Sequence, residues 1–242
     1  IQDSLGQGKQ AADLLIPKQA LGDVFPKAAA EYLSQHGADI NLQTRVSDIV
    51  LEANKVIGIK TSNGDFIAAN NIIVATAAKQ SSQLLTEHIE LPAPQHFPIA
   101  TVYLQYKSNC RLTKPLFGMS GSIGQWIFDR SQQHAGLMAI VISGPGKHET
   151  MNNDELVACV SNEVHQFFPY FPEHADDALV IREKRATFAC TVNIEQHRPA
   201  AKTEISGLYL AGDYVNNGYP ATLEGAILNG KNAAQEILLN LI

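Results

Sequence analysis

The spacing of apolar residues near the start of the chain predicts one amphipathic helix. In the run GDVFPKAAAEYLSQHGADI, Val24, Ala28 and Tyr32 recur at four-residue intervals. Residues with this spacing share one face of an α-helix. Gly37 follows at the place where a glycine commonly ends a helix. The pattern therefore predicts a helix that stops at Gly37.

The residues that follow predict consecutive strands. A first strand begins at Ile40 and Leu42, and its extended pattern continues to Leu51. The run VIGIKT alternates between apolar and polar residues, and the SNGD that comes next is a strong signal for a β-hairpin turn. The run IIVA (residues 72–75) is apolar throughout, which suits a central strand that is buried on both faces.

The pattern changes after the proline-rich run LPAPQHFP (residues 91–98). Beyond it, the runs IATVYLQYK, GQWIFDRS, GLMAIVIS and LVIREKRATFA predict strands, and NDELVACVSNEVHQFFP predicts a helix capped at Asn153 or Asp154. From residue 191 the α/β pattern returns. We therefore predict an α/β (α+β) fold in three segments, with residues 1–90 and 191–242 in one domain and a mixed β-sheet with a helix at 91–190.

The segment with the clearest chemical character is LYLAGDYVNNGYPATLEGAILNG (residues 208–230). A short apolar strand ends at Gly212 and Asp213, where glycine allows a ligand close to the backbone and the carboxylate can accept hydrogen bonds from hydroxyl groups. Pro220 suits the first position of a helix. The backbone N–H groups at such a helix start favour negative charge, and here they would belong to Ala221, Thr222 and Leu223.

The same helix has a second interpretation that needs no ligand. Apolar or small residues recur every three or four positions along it, namely Leu223, Ala226, Ile227, Gly230, Ala234, Ile237 and Leu241. Packing of a helix against a core accounts for such a stripe. From the residues alone, both interpretations stay open.

A resemblance to a known superfamily favours the ligand. The run GLYLAGDYVNNGYPATLEGAILNGKNAA resembles the C-terminal FAD motif of the flavin amine oxidases and phytoene desaturases, with Asn229 in place of the usual serine. The runs LLIPKQALGDVFPKAAAEYLSQHGADINLQTRV, GQWIFDR and RATFACT resemble, more narrowly, the squalene-associated FAD-dependent desaturases, which are described as hydroxysqualene dehydroxylases. The likeness covers most of the chain.

The resemblance implies FAD as the cofactor and assigns its contacts. The Gly-Asp pair would meet the ribityl and pyrophosphate part of FAD, and the helix start after the proline would face the flavin ring. A valine backbone in LQTRVSDI would meet the adenine, and the end of IIVATAA would line the dinucleotide. The implied cofactor-binding residues are Val46, Ala75, Thr76, Gly212, Asp213, Pro220, Ala221, Thr222 and Leu223.

The same resemblance implies the domains and the reaction. Residues 1–90 and 191–242 would form a partial FAD/NAD(P)-binding-type domain, and residues 91–190 an inserted substrate-binding domain. The reaction would replace the allylic hydroxyl of hydroxysqualene with hydride from reduced FAD, giving squalene for hopanoid synthesis. The alternatives are a carotenoid-type desaturase and a flavin amine oxidase, for which Tyr214 and Tyr219 are a weak match to the usual aromatic pair.

One part of the superfamily pattern has no good counterpart. The strand–GxGxxG–helix unit holds the pyrophosphate, but the run LGQGKQA (residues 5–11) matches it by letter only, since no apolar strand precedes it. We therefore expect the C-terminal portion of a flavoenzyme that binds FAD weakly or not at all without an N-terminal half or companion chain. The alternatives are a homodimer formed through exposed apolar surface, and a non-catalytic domain that binds a partner.

The middle segment contains the candidates for an isoprenoid site. Tyr103, Trp126 and Phe188 would line an apolar tunnel, although aromatic side chains also fill the cores of sheets. The run HQFFPYFP would either touch a membrane or cap the core. Arg198 is expected to form a surface salt bridge. We assign no catalytic residue, because in this chemistry the flavin carries the hydride.

The composition of the chain indicates which kinds of partner and which cellular compartment to expect. A net charge of −6 without a basic stripe argues against nucleic acid as a partner. The eight histidines show no metal-ligand spacing, so no metal is expected. Three widely spaced cysteines indicate a reducing compartment. We therefore expect a cytoplasmic protein that contacts the inner membrane, if at all, at its periphery.

Overall fold

The computed structural model describes residues 6, 8–13, 15–92 and 94–240. Two residues of the LGQGKQA run, Leu5 and Gln7, and the last residue of the expected helical stripe, Leu241, therefore lie outside the described residues. The chain divides into two units, one made of residues 1–46 and 61–65 and the other of residues 47–60 and 66–242.

The first unit contains the helix that the sequence predicts. It forms as two pieces, α1 (Leu21–Val24) and α2 (Pro26–Gln35), with a short 3-10 helix, Lys9–Ala12, before them. Gly37 follows α2 with φ 81°, so the glycine stop is confirmed. None of the residues of α2 is buried, and Tyr32 is 61% exposed. The apolar face of this helix is therefore not covered by the described residues.

The strand expected at Ile40 and Leu42 does not form. Leu42 lies in a turn with 82% of its surface exposed, and Gln43 has φ 56°, which interrupts an extended chain. The physical reason is that a strand needs a hydrogen-bonded neighbour, and no described strand pairs with residues 38–42. The extended chain begins instead at Val46.

A three-stranded sheet follows, in the order β1 (Val46–Glu52), β2 (Lys55–Thr61) and β3 (Phe66–Ala68). Apart from the end residues Val46 and Thr61, these strands belong to the second unit. The pairing of β2 with β3 is antiparallel, and Gly64 between them has φ 92°. The hairpin predicted from SNGD is therefore confirmed.

A second sheet contains two parallel strands, β4 (Ile72–Val74) and β10 (Leu208–Leu210), which pair in register. All three residues of β10 are buried, whereas Ile73 of β4 is 36% exposed. The prediction that IIVA is buried on both faces is therefore wrong. Among the described strands β4 has β10 as its single neighbour, so its other edge is open.

The third sheet has five strands and carries the larger core. Its order is β6-β7-β8-β5-β9, and every pairing is antiparallel where a mixed sheet was expected. Helix α4 (Asn153–Phe167) packs on one face, where Leu156, Val160 and Val164 meet alternate strand residues such as Val102 and Ile140. The strands are β5 (His96–Gln105), β6 (Leu116–Gly118), β7 (Trp126–Asp129), β8 (Leu137–Ser143) and β9 (Asp177–Phe188).

Three α-helices belong to the second unit: α3 (Ala78–Leu85), α4 (Asn153–Phe167) and α5 (Leu223–Leu239). The cap of α4 is Asn152, one residue before the expected position. Its side chain accepts from the Glu155 N–H while the Glu155 carboxylate accepts from the Asn152 N–H. This reciprocal pair satisfies two N–H groups at once, which is why Asn152 takes the position. No described helix is both long enough and apolar enough to cross a bilayer.

Candidate functional site

The carboxyl ends of β4 and β10 meet at the proposed cofactor site. The Ala211 N–H donates to the Val74 carbonyl over 3.0 Å, which continues the parallel pairing past the strand ends. A Cβ added to Gly212 would lie 3.5 Å from the Thr76 carbonyl oxygen. The structure therefore brings Ala75 and Thr76 next to Gly212 and Asp213, at the edge where open α/β sheets bind ligands.

A buried hydroxyl network joins these two strand ends to α3. The Tyr214 hydroxyl donates to Ser81 Oγ over 2.9 Å, and Ser81 Oγ lies 2.8 Å from Thr76 Oγ1. Ser81 is fully buried and Tyr214 is nearly so. The loop after β10 and the loop after β4 are thus fixed to each other through side chains as well as through the sheet.

The pKa of Tyr214 is raised because burial disfavours the charged phenolate; the Ser81 hydrogen bond lowers it and the Asp213 charge raises it further. The pKa of Tyr214 is higher in the folded than in the unfolded protein. The contribution of the protonated Tyr214 phenol to stability is therefore full below about pH 10, and it is lost as pH rises through the folded pKa. We expect Tyr214→Phe to flatten the alkaline fall in the free energy of unfolding. Tyr106, whose pKa burial also raises, would leave a residual slope.

The measurement is urea unfolding of the wild type and the variant at several pH values above 9. Ser81→Ala is the matched control, because it removes the hydrogen-bond partner and keeps the phenol. It should lower stability by about 1 kcal/mol at neutral pH and retain the alkaline loss. An alkaline slope that is the same in Tyr214→Phe and the wild type would contradict this account.

Asn229 fixes the Gly-Asp turn from the helix side. It is 1% exposed, and its Nδ2 donates to the carbonyl oxygens of Gly212 and Val215 over 2.7 and 2.8 Å. Because Asn229 packs inward, the buried residues of α5 are Gly225, Asn229 and Ala233. The expected stripe of core residues is therefore wrong, since Leu223 and Ile227 on another face are 69% and 48% exposed.

Helix α5 begins later than the sequence suggests. Its N-cap is Thr222, whose Oγ1 accepts from the Gly225 N–H over 3.1 Å, and Leu223 is the first helical residue. Pro220 consequently stands two residues before the cap and not at the first helical position. A cap with a hydroxyl acceptor is favoured because it satisfies an N–H that has no partner within the helix. The remaining first-turn N–H groups belong to Leu223 and Glu224.

Asp213 is half-buried at the exit of β10, and its carboxylate accepts no hydrogen bond from any residue that the structure describes. Its backbone carbonyl accepts from Arg198 Nη2 over 2.8 Å. Arg198 forms the expected salt bridge, with Glu195 over 2.7 Å, but it is only 8% exposed, so the expected surface position is wrong. The partners of Arg198 are mainly backbone carbonyls, which every residue type carries, so the sequence contains no signal for this role.

The second surface of interest is the free face of the five-stranded sheet, opposite α4. Thr101 pairs with Val141 and Ile181, and Val141 pairs with Trp126, so their side chains share this face with Tyr103 and Leu179 two positions along. Trp126, Leu179 and Ile181 are 43%, 58% and 50% exposed. We call this surface the open sheet face and define it by Thr101, Tyr103, Trp126, Val141, Leu179 and Ile181.

Phe188 does not join the open sheet face. It is 2% exposed at the end of β9, and the Arg198 guanidinium lies 4.8 Å from its ring centroid. The structure therefore brings Tyr103 and Trp126 together and places Phe188 in the core beneath the loop after β10. Its role as a substrate contact stays a prediction.

Comparison of the sequence with known families decides the identity. Residues 8–238 match the family of flavin containing amine oxidoreductases. The chain belongs to this family.

Relatives within the flavin amine oxidoreductase family are distant. The chain is 27% identical over 236 residues to the hydroxysqualene dehydroxylase of Zymomonas mobilis, a match that covers 97% of this chain and 55% of the relative. It is 25% identical to the 15-cis-phytoene desaturase of an Oncidium hybrid, over 86% of this chain and 40% of that protein. The chain spans about half the length of the curated relatives it matches.

Solved structures show the same fold. An oxidoreductase from Methanosarcina mazei superposes with a TM-score of 0.67 at 15% identity, over 86% of this chain and 53% of that one. The predicted α/β class and the superfamily resemblance are therefore confirmed. The family consists of flavin-dependent oxidoreductases.

The residues at the ends of β4 and β10 fit part of a flavin cofactor of this family. The unpaired Asp213 carboxylate suits hydroxyl groups, and the start of the 17-residue helix α5 suits negative charge. The buried Asn229 Oδ1 has no hydrogen-bond partner among the described residues, which leaves an acceptor near the turn. A glycine-rich cradle for a pyrophosphate is not found among the described residues.

Val46, the expected adenine contact, is the first residue of β1 and is half-buried. It belongs to the first unit, whereas Thr76, Gly212 and Asp213 belong to the second. The expected contact of Val46 with the adenine of FAD stays a prediction.

Proposed function

We propose that this chain supplies the flavin-facing half of a FAD-dependent oxidoreductase that acts on a long apolar isoprenoid. The observation that carries the proposal is the convergence of Thr76, Gly212 and Asp213 at the parallel strand ends, in a chain of the flavin amine oxidoreductase family. The residues of the second unit that would hold FAD are Ala75, Thr76, Gly212, Asp213, Pro220, Ala221, Thr222 and Leu223.

Each part of this set has a distinct task. Asp213 would accept hydrogen bonds from the hydroxyl groups of the cofactor, and Gly212 would let it approach the backbone. The first N–H groups of α5 would stabilise negative charge on the ring system. Bound FAD would supply, in its reduced form, the hydride that replaces an allylic hydroxyl, which leaves as water after protonation.

The substrate class is inferred from the open sheet face. Apart from Thr101 its side chains are apolar or aromatic, and a broad exposed apolar surface on a sheet suits a long hydrocarbon better than a small charged amine. Tyr103 and Trp126 would be substrate contacts. Hydroxysqualene is the proposed substrate, in line with the relatives named hydroxysqualene dehydroxylase. A carotenoid-type desaturation is the second candidate, and the similarity to phytoene desaturases favours it over an amine oxidase.

The phosphate-binding part of the site would come from a strand–GxGxxG–helix segment that is not found among the described residues. The open edge of β4 offers unpaired backbone groups for a parallel strand, and the exposed Ile73, Leu223 and Ile227 offer apolar surface for its helix. An isolated pair of parallel strands is an unusual arrangement, because parallel sheets are normally buried on both faces. We propose such a segment as the partner, with a homodimer as the other occupant to be tested.

The proposed location is the cytoplasm, at the periphery of the inner membrane. Phe167 and Tyr170 are 43% and 57% exposed at the end of α4, and amphipathic aromatic rings favour a membrane interface. An apolar substrate would also reach the open sheet face most directly from a lipid phase.

The test is the visible spectrum of the purified chain titrated with FAD, alone and together with the N-terminal half of the Zymomonas mobilis relative. We expect weak binding by the chain alone and tight binding by the mixture, as a complex of one copy of each. Asp213→Asn should weaken FAD binding by about 10- to 100-fold, because it removes a charged acceptor. The matched control is Asp154→Asn, an exposed acid in the first turn of α4, which should leave FAD affinity unchanged.

The mixture should then convert hydroxysqualene to squalene under reducing conditions. Oxidation of phytoene in its place would establish the desaturase candidate. If neither the chain nor the mixture retains flavin after desalting, the enzyme proposal fails and a non-catalytic binding domain is the conclusion. A chain that elutes as a dimer and does not respond to the N-terminal half would assign the exposed β4 edge to self-association.

A further inference from the structure

A buried arginine holds the loop between β10 and α5 by its backbone. Arg198 Nη2 donates to the carbonyl oxygens of Asp213 and Val215, over 2.8 and 2.6 Å. Its Nη1 donates to the Tyr219 carbonyl over 2.6 Å, and its Nε to the Tyr214 carbonyl over 3.4 Å. One guanidinium therefore contacts four carbonyl groups within seven consecutive residues.

The remaining contacts complete the surroundings of this cation. Arg198 Nη1 also donates to the Glu195 carboxylate over 2.7 Å, and Nη2 to Asn217 Oδ1 over 3.3 Å. The Phe188 ring lies against the guanidinium. Glu195 is 48% exposed, so solvent screens the ion pair on one side. The guanidinium charge is therefore stabilised mainly by the carbonyl groups.

A buried cation is costly unless its donors are satisfied, and arginine presents five donors in a rigid planar fork. Carbonyl groups from both ends of the loop accept hydrogen bonds from these donors. Lysine has the same charge but a compact ammonium with three donors, so it cannot span the same set. The arrangement thus depends on guanidinium shape and not on charge alone.

Both ends of the loop are parts of the candidate flavin site. Asp213 lies directly after Gly212 at the exit of β10, and Tyr219 precedes the segment that leads into the Thr222 cap of α5. Asn217 links the same loop to the helix, since its Nδ2 donates to the Gly225 carbonyl over 2.7 Å. By binding both ends of the loop, Arg198 therefore holds Asp213 and the start of α5 at a fixed distance from each other.

We propose that Arg198 is a positioning residue for the flavin site, which sets the spacing of Asp213 and the start of α5 through the loop carbonyls. The inference rests on the proposed function for its flavin part. Its structural part, the fixing of the loop, stands on the contacts of Arg198 alone.

The test compares Arg198→Lys and Arg198→Met with a matched arginine elsewhere. Arg182 on β9 likewise donates to two backbone carbonyls, those of His148 and Met151, over 2.9 and 3.0 Å, but it lies on the five-stranded sheet. Arg182→Lys therefore controls for the general loss of a carbonyl-binding arginine. Each protein is measured with the N-terminal half of the Zymomonas mobilis relative, for thermal stability, FAD affinity, the visible circular dichroism of bound FAD, and amide hydrogen exchange.

We expect Arg198→Lys to speed amide exchange in residues 213–223 by at least about tenfold and to weaken FAD binding about 10- to 100-fold. The circular dichroism of bound FAD should change as well. Arg182→Lys should lower the melting temperature and leave FAD affinity and circular dichroism unchanged. Arg198→Lys keeps the test valid if Arg198→Met does not fold.

Two results would overturn the inference. Unchanged exchange in residues 213–223 of Arg198→Lys would show that the guanidinium does not fix the loop. Faster exchange with unchanged FAD affinity would show that loop geometry does not matter to the flavin. A wild-type mixture that binds no FAD would instead contradict the proposed function, and the exchange data would still decide the structural part.

Discussion

Gly212→Ala should abolish retention of FAD by the mixture with the N-terminal half of the Zymomonas mobilis relative, and it should lower the free energy of unfolding of the chain by about 2–4 kcal/mol. Gly212 has φ 143°, a region that side-chain-bearing residues rarely adopt. An added Cβ would also stand 2.9 Å from Cε1 and 3.0 Å from Cδ1 of the Tyr214 ring. That ring cannot move away cheaply, because its hydroxyl is bound to Ser81 in the core. The strain would therefore displace the turn that carries Asp213.

The matched control for Gly212→Ala is Gly230→Ala in the middle of α5. An added Cβ there meets no atom of the described residues within 4 Å, and φ is ordinary. Alanine is favoured over glycine inside a helix by about 1 kcal/mol, so this variant should be as stable as the wild type or more so. Urea unfolding and FAD titration of both variants check the prediction. Equal behaviour of the two would show that neither the backbone angle nor the Tyr214 contact matters.

Gly136→Ala should have the largest effect on stability, about 3–5 kcal/mol, through the five-stranded sheet. Gly136 precedes β8 with φ 82°, and its carbonyl accepts from the Tyr106 N–H over 3.0 Å. An added Cβ would overlap the Tyr106 carbonyl oxygen and stand 2.5 Å from that of Lys107. Both obstacles are backbone atoms, which cannot rotate out of the way.

The effect of Gly136→Ala has two causes, the positive backbone angle and the clash of the added Cβ. Gly144, directly after β8, shares the first cause and lacks the second. It has φ 78°, close to that of Gly136, but an added Cβ meets no described atom within 4 Å. Gly144→Ala should therefore cost only about 1 kcal/mol, the price of the backbone angle. Thermal and urea unfolding of the pair would give the energy of the clash as the difference. A difference below about 1 kcal/mol would mean that the loop at Tyr106 relaxes easily.

The features that the sequence predicted well are those with short-range causes. The SNGD turn needs a glycine at positive φ, and Gly64 provides it. Strands β5, β7, β8 and β9 of the middle segment and helix α4 follow from local alternation and helical spacing, whereas the three-residue strand β6 is too short to give such a pattern and was not predicted. The carboxyl-terminal motif follows from a run of specific residue types, and the structure places its glycine and acid at the end of a parallel strand beside Thr76.

The features that the sequence did not predict depend on long-range packing. The apolar stripe of α5 showed that this helix has an apolar side, but periodicity does not tell which side the rest of the chain covers. In the structure, Asn229 is drawn inward by two carbonyl groups of the turn, and this orientation leaves Leu223 and Ile227 outside. Arg198 was assigned to the surface because arginine usually lies there. Its four carbonyl partners belong to the backbone, which is the same for every residue type.

The parallel pairing of β4 with β10 has a consequence for the order of folding. It joins Ile72 to Leu208, and the entire five-stranded sheet lies between them in sequence. Closing so long a loop is entropically costly while the intervening chain is unfolded, and the cost falls once that chain is compact. The most distant pairing within the antiparallel sheet joins His96 to Phe188, which closes a shorter loop than the pairing of Ile72 with Leu208, so the antiparallel sheet should form first. Slow maturation of the candidate flavin site would then be set by the folding of the five-stranded sheet.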